Sequence, residues 1–341
     1  ILYFSSIFLL IFLITFKANS LVIETINEYG AKKKYPDLNI LSSTDVEVFE
    51  PLIKMFVKNN KQIRVRYVTA STSDIYKEIK NSNKSNFDLV ISSAMDLQMK
   101  LANDGFAIDI ENIEKSAIPE WSMWRKHIVG FSIEPIVTVI SKADFNIKIP
   151  KTRRDLISIL RNNPNKFYKK IITYDINKSG AGFLFASQDE RQSESFWRLA
   201  EVMGSLKTRV VCCSSKMLDA VNSRESYIAY NIIGSYAEQR ARKHKNLIVV
   251  YPYDYTLLLL RSAIIPKNSK NYANANIFLK FLLSKPGQRI LEQKGMLSIK
   301  NKKIFKKGNI KLIRLDTGLL VYLDKLKRER FLSEWNEALF Q

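Results

Sequence analysis

Three short stretches carry hydroxyl and glycine residues where chemistry is possible: Ser42-Ser43-Thr44, Ser92-Ser93 and Ser179-Gly180-Ala181-Gly182. Each follows an apolar run that reads as a strand and precedes a run with helical spacing. A small-residue turn opening a helix leaves backbone N–H groups free, and these attract anions. Glycine at positions 180 and 182 lets the backbone approach a ligand closely. The same residues also serve as helix caps and tight turns, and capping uses the same geometry as anion binding. A fourth group, Tyr230, Asn231 and Ser235, lies at another strand-to-helix junction, where Asn231 offers an amide donor. Tyr253, Asp254 and Tyr255 either line the same space or pack a hinge, and Glu134 reads as structural.

The sequence argues against most catalytic classes. No G-x-S-x-G elbow is present, and "GAGFLF" lacks the Lys-Ser/Thr of a phosphate-binding P-loop. His127 and His244 are the only histidines, and each sits among basic residues without a local catalytic partner. No cofactor or metal is expected. Zinc-finger spacing, an RNP-like aromatic box and a basic helical arm are all missing, so no nucleic-acid partner is expected either. The net charge is +21, with the lysines scattered rather than stacked in one block. Such a field draws anions toward the surface without defining a site.

The elements that must position these groups alternate in type. "LNILSST", "IRVRYVTA" and "FDLVISSA" read as strands, separated by the helical runs "DVEVFEPLIKMFVKNN" and "SDIYKEIKNSN" and followed by "MDLQMKLANDG". Val48, Leu52, Met55 and Phe56 mark the inner face of the first helix. This βαβαβα order predicts a mostly parallel sheet flanked by helices, with ligands outside the carboxyl ends of its strands. "FSIEPIVTVISK" is a long strand that leads out of this unit, and a second α/β unit follows with "KKIITYD", "TRVVCCSS" and "SYIAYNII" as strands. "LIVVYPYDYTLLLLRSAIIP" returns. The expected α/β fold therefore has two lobes joined by crossover strands. We expect a leader over 1–20, lobe one over 38–136, lobe two over 137–257, and a return to lobe one with C-terminal helices over 258–341. Residues 21–37 read as a polar, mobile connection.

The apolar run from Ile1 to Phe16, with Ala18 and Ser20 at the small-residue positions before a cut, reads as a signal peptide missing its Met and charged start, or as an uncleaved anchor. No Cys follows the run, which disfavours lipid attachment. Export to an oxidising compartment is expected. Cys212 and Cys213 are adjacent, and read either as a buried thiol pair or as a vicinal disulfide.

Four segments carry a family resemblance: "LNILSSTDVEVFEPLIKMF", "FDLVISSAMDLQMKLANDGFA", "SGAGFLFASQD" and "LLLLRSAIIPKNSKNYANANIFLKFLLSKPGQ". Together they resemble the type 2 periplasmic solute-binding proteins of ABC transporters, in the branch of iron(III) binders and their organophosphate-binding relatives. "LDTGLLVYLDKLKRERFLSEW" is similar to phosphoglycerate transport regulatory proteins. The resemblance runs from about residue 38 to the C-terminus. It implies a monomeric periplasmic receptor with an inter-lobe cleft, working with an ABC permease or, alternatively, a membrane sensor kinase. Ferric-binding members place two adjacent tyrosines at the start of a helix in lobe two. Here "IIGSYAEQR" has Tyr236 followed by Ala237. A small anion, an organophosphate, fits better than bare iron. The expected contacts are Ser42, Ser43, Thr44, Ser92, Ser93, Ser179, Gly180, Gly182, Asn231 and Ser235. A ferric-anion complex remains the alternative.

Overall fold

The computed structural model describes residues 21–31, 37–81, 85–111, 113, 118–142, 148–301, 304 and 309–341. The expected leader, residues 1–20, lies outside the described residues.

The first lobe is built on strands β1 (Ile23–Tyr29), β2 (Leu38–Ser42), β3 (Val65–Ala70) and β4 (Leu89–Ser92), with helices α1 (Val46–Asn59), α2 (Thr72–Asn81) and α3 (Met95–Asn103) between and after them. β2 pairs in parallel with both β3 and β4, as βαβ crossovers require. Val48, Phe49, Leu52, Ile53 and Phe56 form the buried stripe of α1. Met55 turns outward, because at helical spacing Phe49 and Ile53 fill the inner face instead. The stretch read as a mobile connection holds a strand: β1 pairs antiparallel with β3. Its side chains are mostly exposed, so the segment carries little of the apolar pattern that marks a strand in sequence.

A short strand β5 (Met123–Trp124) leads into β6 (Ile128–Ser141), which is buried throughout. β6 belongs to both sheets. Ile128–Pro135 lie in the first, and Ile136–Ile140 pair with the second. The second lobe follows: α4 (Arg153–Asn162), α5 (Pro164–Phe167), β7 (Ile171–Tyr174), α6 (Gly180–Gln192), α7 (Ser195–Ser205), β8 (Arg209–Val211), α8 (Ser214–Asn222), β9 (Ile228–Ile233), α9 (Gly234–Lys243) and β10 (Leu247–Val250). β7 is parallel to β8 and β9, while β10 lies antiparallel along β6. β11 (Thr256–Ile264) then re-enters the first sheet between β4 and β6. The lobes are thus joined by two adjacent extended crossings, the architecture expected from the alternating pattern.

The chain continues with α10 (Tyr272–Leu283) and α11 (Lys285–Gln293) on the first lobe, then β12 (Leu297–Ser298) and β13 (Ile310–Leu312) beside β6 and β11. A 3₁₀ turn at Thr317–Leu323 packs on α3. The last helix, α12 (Lys325–Leu339), leaves the first lobe and packs on the second. Its Phe331 meets Phe183 and Phe196, with ring centroids 5.6 and 6.1 Å apart, and Trp335 stacks on Phe196 at 5.8 Å. The tail therefore crosses from one lobe to the other.

A buried ion pair sits at the crossings. Arg261 on β11 and Glu134 on β6 are both fully buried, with Nε 2.5 Å from Oε1. Arg261 Nη1 also donates to Thr44 Oγ1 in the first lobe, and Ser235 of the second lobe donates to Glu134 Oε2. Burial alone would favour the neutral guanidine, but Glu134 outweighs it and holds Arg261 charged. Removing one member of such a pair strands the other in a medium that solvates it poorly. Glu134→Ala is expected to lower the unfolding free energy by about 3–5 kcal/mol, read by urea denaturation. A loss of under about 1 kcal/mol would show that the pair is solvated or dispensable.

Candidate functional site

Five helix starts meet where the lobes face each other. Ser43 and Asp45 precede α1, Ser71 and Thr72 open α2, and Ser93 precedes α3, all from the first lobe. Ser179 and Ala181 open α6, and Cys213 to Lys216 open α8, from the second. They line a cleft of about 390 Å³. Each helix start carries N–H groups without intrahelical partners and the positive end of a helix dipole.

The lobes touch in this conformation. Ala181 N donates to Thr72 Oγ1 at 3.1 Å, and Asp45 N donates to the Tyr236 hydroxyl at 3.1 Å. A Cβ on Gly180 would stand 2.5 Å from Leu97 Cδ1 of α3, so glycine there permits the close approach.

Of the sequence-predicted residues, Ser43, Ser93, Ser179 and Gly180 line the cleft or the cavity that continues from it. Ser43 Oγ accepts from Ser93 N at 3.1 Å, and Ser179 Oγ accepts from Gly182 N at 3.1 Å as the cap of α6. A hydroxyl that accepts from the backbone keeps its own proton to donate. These serines therefore cap their turns and still offer donors.

The others stand behind the wall. Ser42 and Ser92 are buried and accept from the amides of Thr44 and Ala94, each two residues on, which fixes the turns. Thr44 is occupied by Arg261. Gly182 spends its amide on Ser179, and Tyr174 leaves no room for a side chain there, with Cβ 2.4 Å from where a new one would stand. Ser235 is buried against Glu134.

Asn231 lies elsewhere. Its Nδ2 donates to Asp189 Oδ2 at 3.0 Å, inside a buried network of the second lobe. There Arg153 Nη2 is 2.7 Å from Asp189 Oδ1, and the Tyr230 and Tyr255 hydroxyls also donate to that carboxylate. Asn231 takes φ +64°, a left-handed backbone that asparagine tolerates better than most residues. Its amide is consumed by holding Asp189, so it is not a wall residue. Asp254 binds Arg153 in the same network, and Tyr253 is exposed.

Sequence reasoning missed Thr72, Asp45 and Ser214-Ser215 as wall residues, and Arg261 beneath them. A lone arginine inside "LLLLRSAII" was the available signal for the last, since an unpaired charge is not buried in a strand. Cys212 and Cys213 form a vicinal disulfide, and both line the cleft. Neither histidine lines it.

The cleft is not uniformly positive. Burial pushes the Asp45 carboxyl above the usual range, partly offset by a hydrogen bond from Ser215 and by the charge of Arg261. Glu24 of β1 is exposed, yet the protein surrounding its carboxyl raises it as well, with Asp45 and Asp74 adding to the effect and Lys216 opposing it. Donors and helix ends favour an anion, and the two carboxylates set a limit on how much negative charge the floor accepts. A larger groove of about 860 Å³ lies outside the cleft, between α7 and α12.

The family of bacterial extracellular solute-binding proteins matches residues 38–297. A substrate-binding protein of an ABC transporter from Agrobacterium tumefaciens is 32% identical, with TM-score 0.89 over 94% of this chain and 99% of that one. Two more distant structures share the fold at 17% identity, each over 89% of this chain and 98% of the other. They are an apo ferric ion-binding protein from Pasteurella haemolytica, TM-score 0.68, and a periplasmic binding protein from Actinobacillus pleuropneumoniae with fructose-6-phosphate bound, TM-score 0.69. The sequence matches no curated protein. With the two-lobed fold and the inter-lobe cleft in place, the chain belongs to the bacterial extracellular solute-binding proteins, of the type that serves ABC transporters.

Proposed function

We propose that this chain is an exported receptor that captures a small organic anion, best a phosphate ester, between its lobes and delivers it to an ABC permease in the inner membrane of a Gram-negative cell. The observation that carries this reading is the convergence of five helix starts from both lobes on one cleft. A phosphoryl group offers enough acceptor oxygens to be shared between lobes, and a ligand that contacts both favours the closed state. The structural neighbour with fructose-6-phosphate bound supports this ligand class. We keep the chain a monomer, with residues 1–20 removed on export. We assign lobe boundaries near residues 136 and 257, the first within β6 and the second at the start of β11.

Ferric ion alone fits less well. Tyr236 already accepts a hydrogen bond from Asp45 N, and Ala237 follows it. Among the described residues no group of three or more His, Cys, Asp or Glu side chains is placed to hold a metal ion. A sensing role is the second reading. A neighbour of 16% identity and TM-score 0.67 is described as a two-component system protein that mediates signal transduction. The same closed form would then dock on a sensor kinase.

Calorimetry with phosphorylated acids, sugar phosphates, ferric citrate and a polyamine tests the ligand class. Binding of a phosphate ester is expected, and Ser179→Asp should reduce it at least about tenfold, because a charged hydrogen bond is replaced by repulsion. Preference for the polyamine, or for ferric ion without an anion, would overturn the reading.

Asp45→Asn gives an independent test of sign. Removing a half-buried negative charge from the floor should tighten an anion several-fold, on the order of 1 kcal/mol. Weaker binding in this variant would mean that Asp45 receives a cation or a donor from the ligand.

A further inference from the structure

Cys212 and Cys213 stand in the turn between β8 and α8, and their disulfide joins neighbours in the chain. A disulfide that closes a long loop stabilises a fold by restricting the unfolded chain. This one closes no loop beyond its own two residues, so it adds little to global stability. What it fixes is the conformation of one turn.

That turn is part of the binding wall. Cys212 lines both the cleft and a cavity of about 620 Å³ that continues from it, and Cys213 lines the cleft. Both are half-buried, so their sulfurs are open to what enters. Glu24 and Ser71 of the first lobe line the same two spaces. The bond is thus carried by one lobe within a space that the other closes. Cys213 also holds the cap position of α8, where Ser, Thr, Asp or Asn usually accepts from an amide of the first turn. The Cys213 side chain makes no such bond, whereas Ser179 caps α6. The start of α8 is held by a covalent ring in place of a capping hydrogen bond. The Met217 amide closes the first turn on the Cys213 carbonyl at 3.3 Å. Opening the ring frees the rotamers of both cysteines, and two unbonded sulfurs need more room than a bonded pair.

We propose that Cys212–Cys213 is a thiol-exchange site built into the cleft wall, which takes a dithiol reductant and couples its own redox state to ligand capture. The oxidised form is the receptor, and the reduced form binds weakly. In the exchange, a thiolate of the dithiol attacks one sulfur and forms a mixed disulfide, while the other cysteine leaves as a thiolate. The second thiol of the reductant attacks the mixed disulfide, frees the remaining cysteine and departs as a cyclic disulfide. Two electrons pass to the protein, and the reductant's two protons end on Cys212 and Cys213. Linkage makes the coupling reciprocal. If reduction weakens the ligand tenfold, bound ligand favours the disulfide tenfold, about 30 mV for a two-electron couple. The coupling rests on the reading of the cleft as the ligand site, whatever the ligand's chemistry.

The test uses the oxidised protein, the protein reduced with a phosphine, and the double variant Cys212→Ala, Cys213→Ala. Amide hydrogen exchange without ligand comes first. The Met217 amide should exchange at least about tenfold faster in the reduced protein and in the variant. The thermal midpoint should stay within about 4 °C, because the ring restricts little of the unfolded chain. Calorimetry with fructose 6-phosphate as the probe follows. Both forms without the bond should bind about tenfold more weakly, reoxidation should restore the reduced protein, and saturating probe should shift the equilibrium with dithiothreitol toward the disulfide by the same factor. Affinities within about twofold of one another, or a probe that binds without moving the dithiothreitol equilibrium, would overturn the coupling. A large fall in the midpoint would overturn it too, since the bond would then hold the fold. If the oxidised protein binds no phosphate ester, the phosphate reading fails, and the Met217 exchange decides the site by itself: an unchanged rate overturns it.

Discussion

The structure depends on the buried pair of Arg261 and Glu134. Two extended segments carry the chain between lobes, and these residues pair diagonally across them, fully buried. Neither charge is tolerable alone in that medium. Their remaining bonds reach outward in opposite directions, to Thr44 in the first lobe and Ser235 in the second. The pair thus fixes the turn before α1 and the start of α9 relative to the crossings. The Tyr67 hydroxyl adds a bond to the carbonyl of Thr44, 2.8 Å away, so that turn is held from two sides. A hinge built this way is stiff at its root, and motion is left to the segments beyond it.

From that root the wall of the cleft follows. The turn held by Thr44 presents Ser43 and Asp45, and Ser43 in turn receives the amide of Ser93. On the opposite lobe, Ser179 caps α6, and the Tyr174 hydroxyl at the end of β7 bonds Ser214 at the start of α8. The buried Arg153–Asp189 pair anchors the back of α6 from within the second lobe. Serines at the front are thus supported by charged networks behind. That division explains a protein with a charge of +21 whose cleft floor includes carboxylates. The surface field attracts anions at long range, while the local donors and acids decide which anion stays.

Much of the fold was legible in the sequence. Alternating apolar strands and amphipathic helices gave away the two α/β lobes, and the long run containing Glu134 and Pro135 marked the first crossing. The strand ends that carry Ser43, Ser93 and Ser179 were legible as well, because strands of alternating βα order end on the side where helices begin. What escaped was set by tertiary contact. Asn231 has the right type at the right junction, but Asp189 on a separate helix claims its amide. Ser42 and Ser92 sit one residue too early and point into the turn rather than the cleft. β1 hid behind a polar face. The crossing of α12 to the second lobe depends on Phe331 and Trp335 meeting Phe196, a pairing that no local pattern announces.

The central claim is that backbone amides at opposing helix starts hold the ligand. Backbone amide chemical shifts of isotope-labelled protein, followed by NMR during titration with a phosphate ester, test it most directly. The account predicts large downfield shifts at Gly180, Ser214, Ser215 and Lys216, as those N–H groups turn to anionic oxygens. Shifts that leave these four amides unmoved and concentrate instead along the outer groove by Arg161, Trp197 and Arg330 would contradict it.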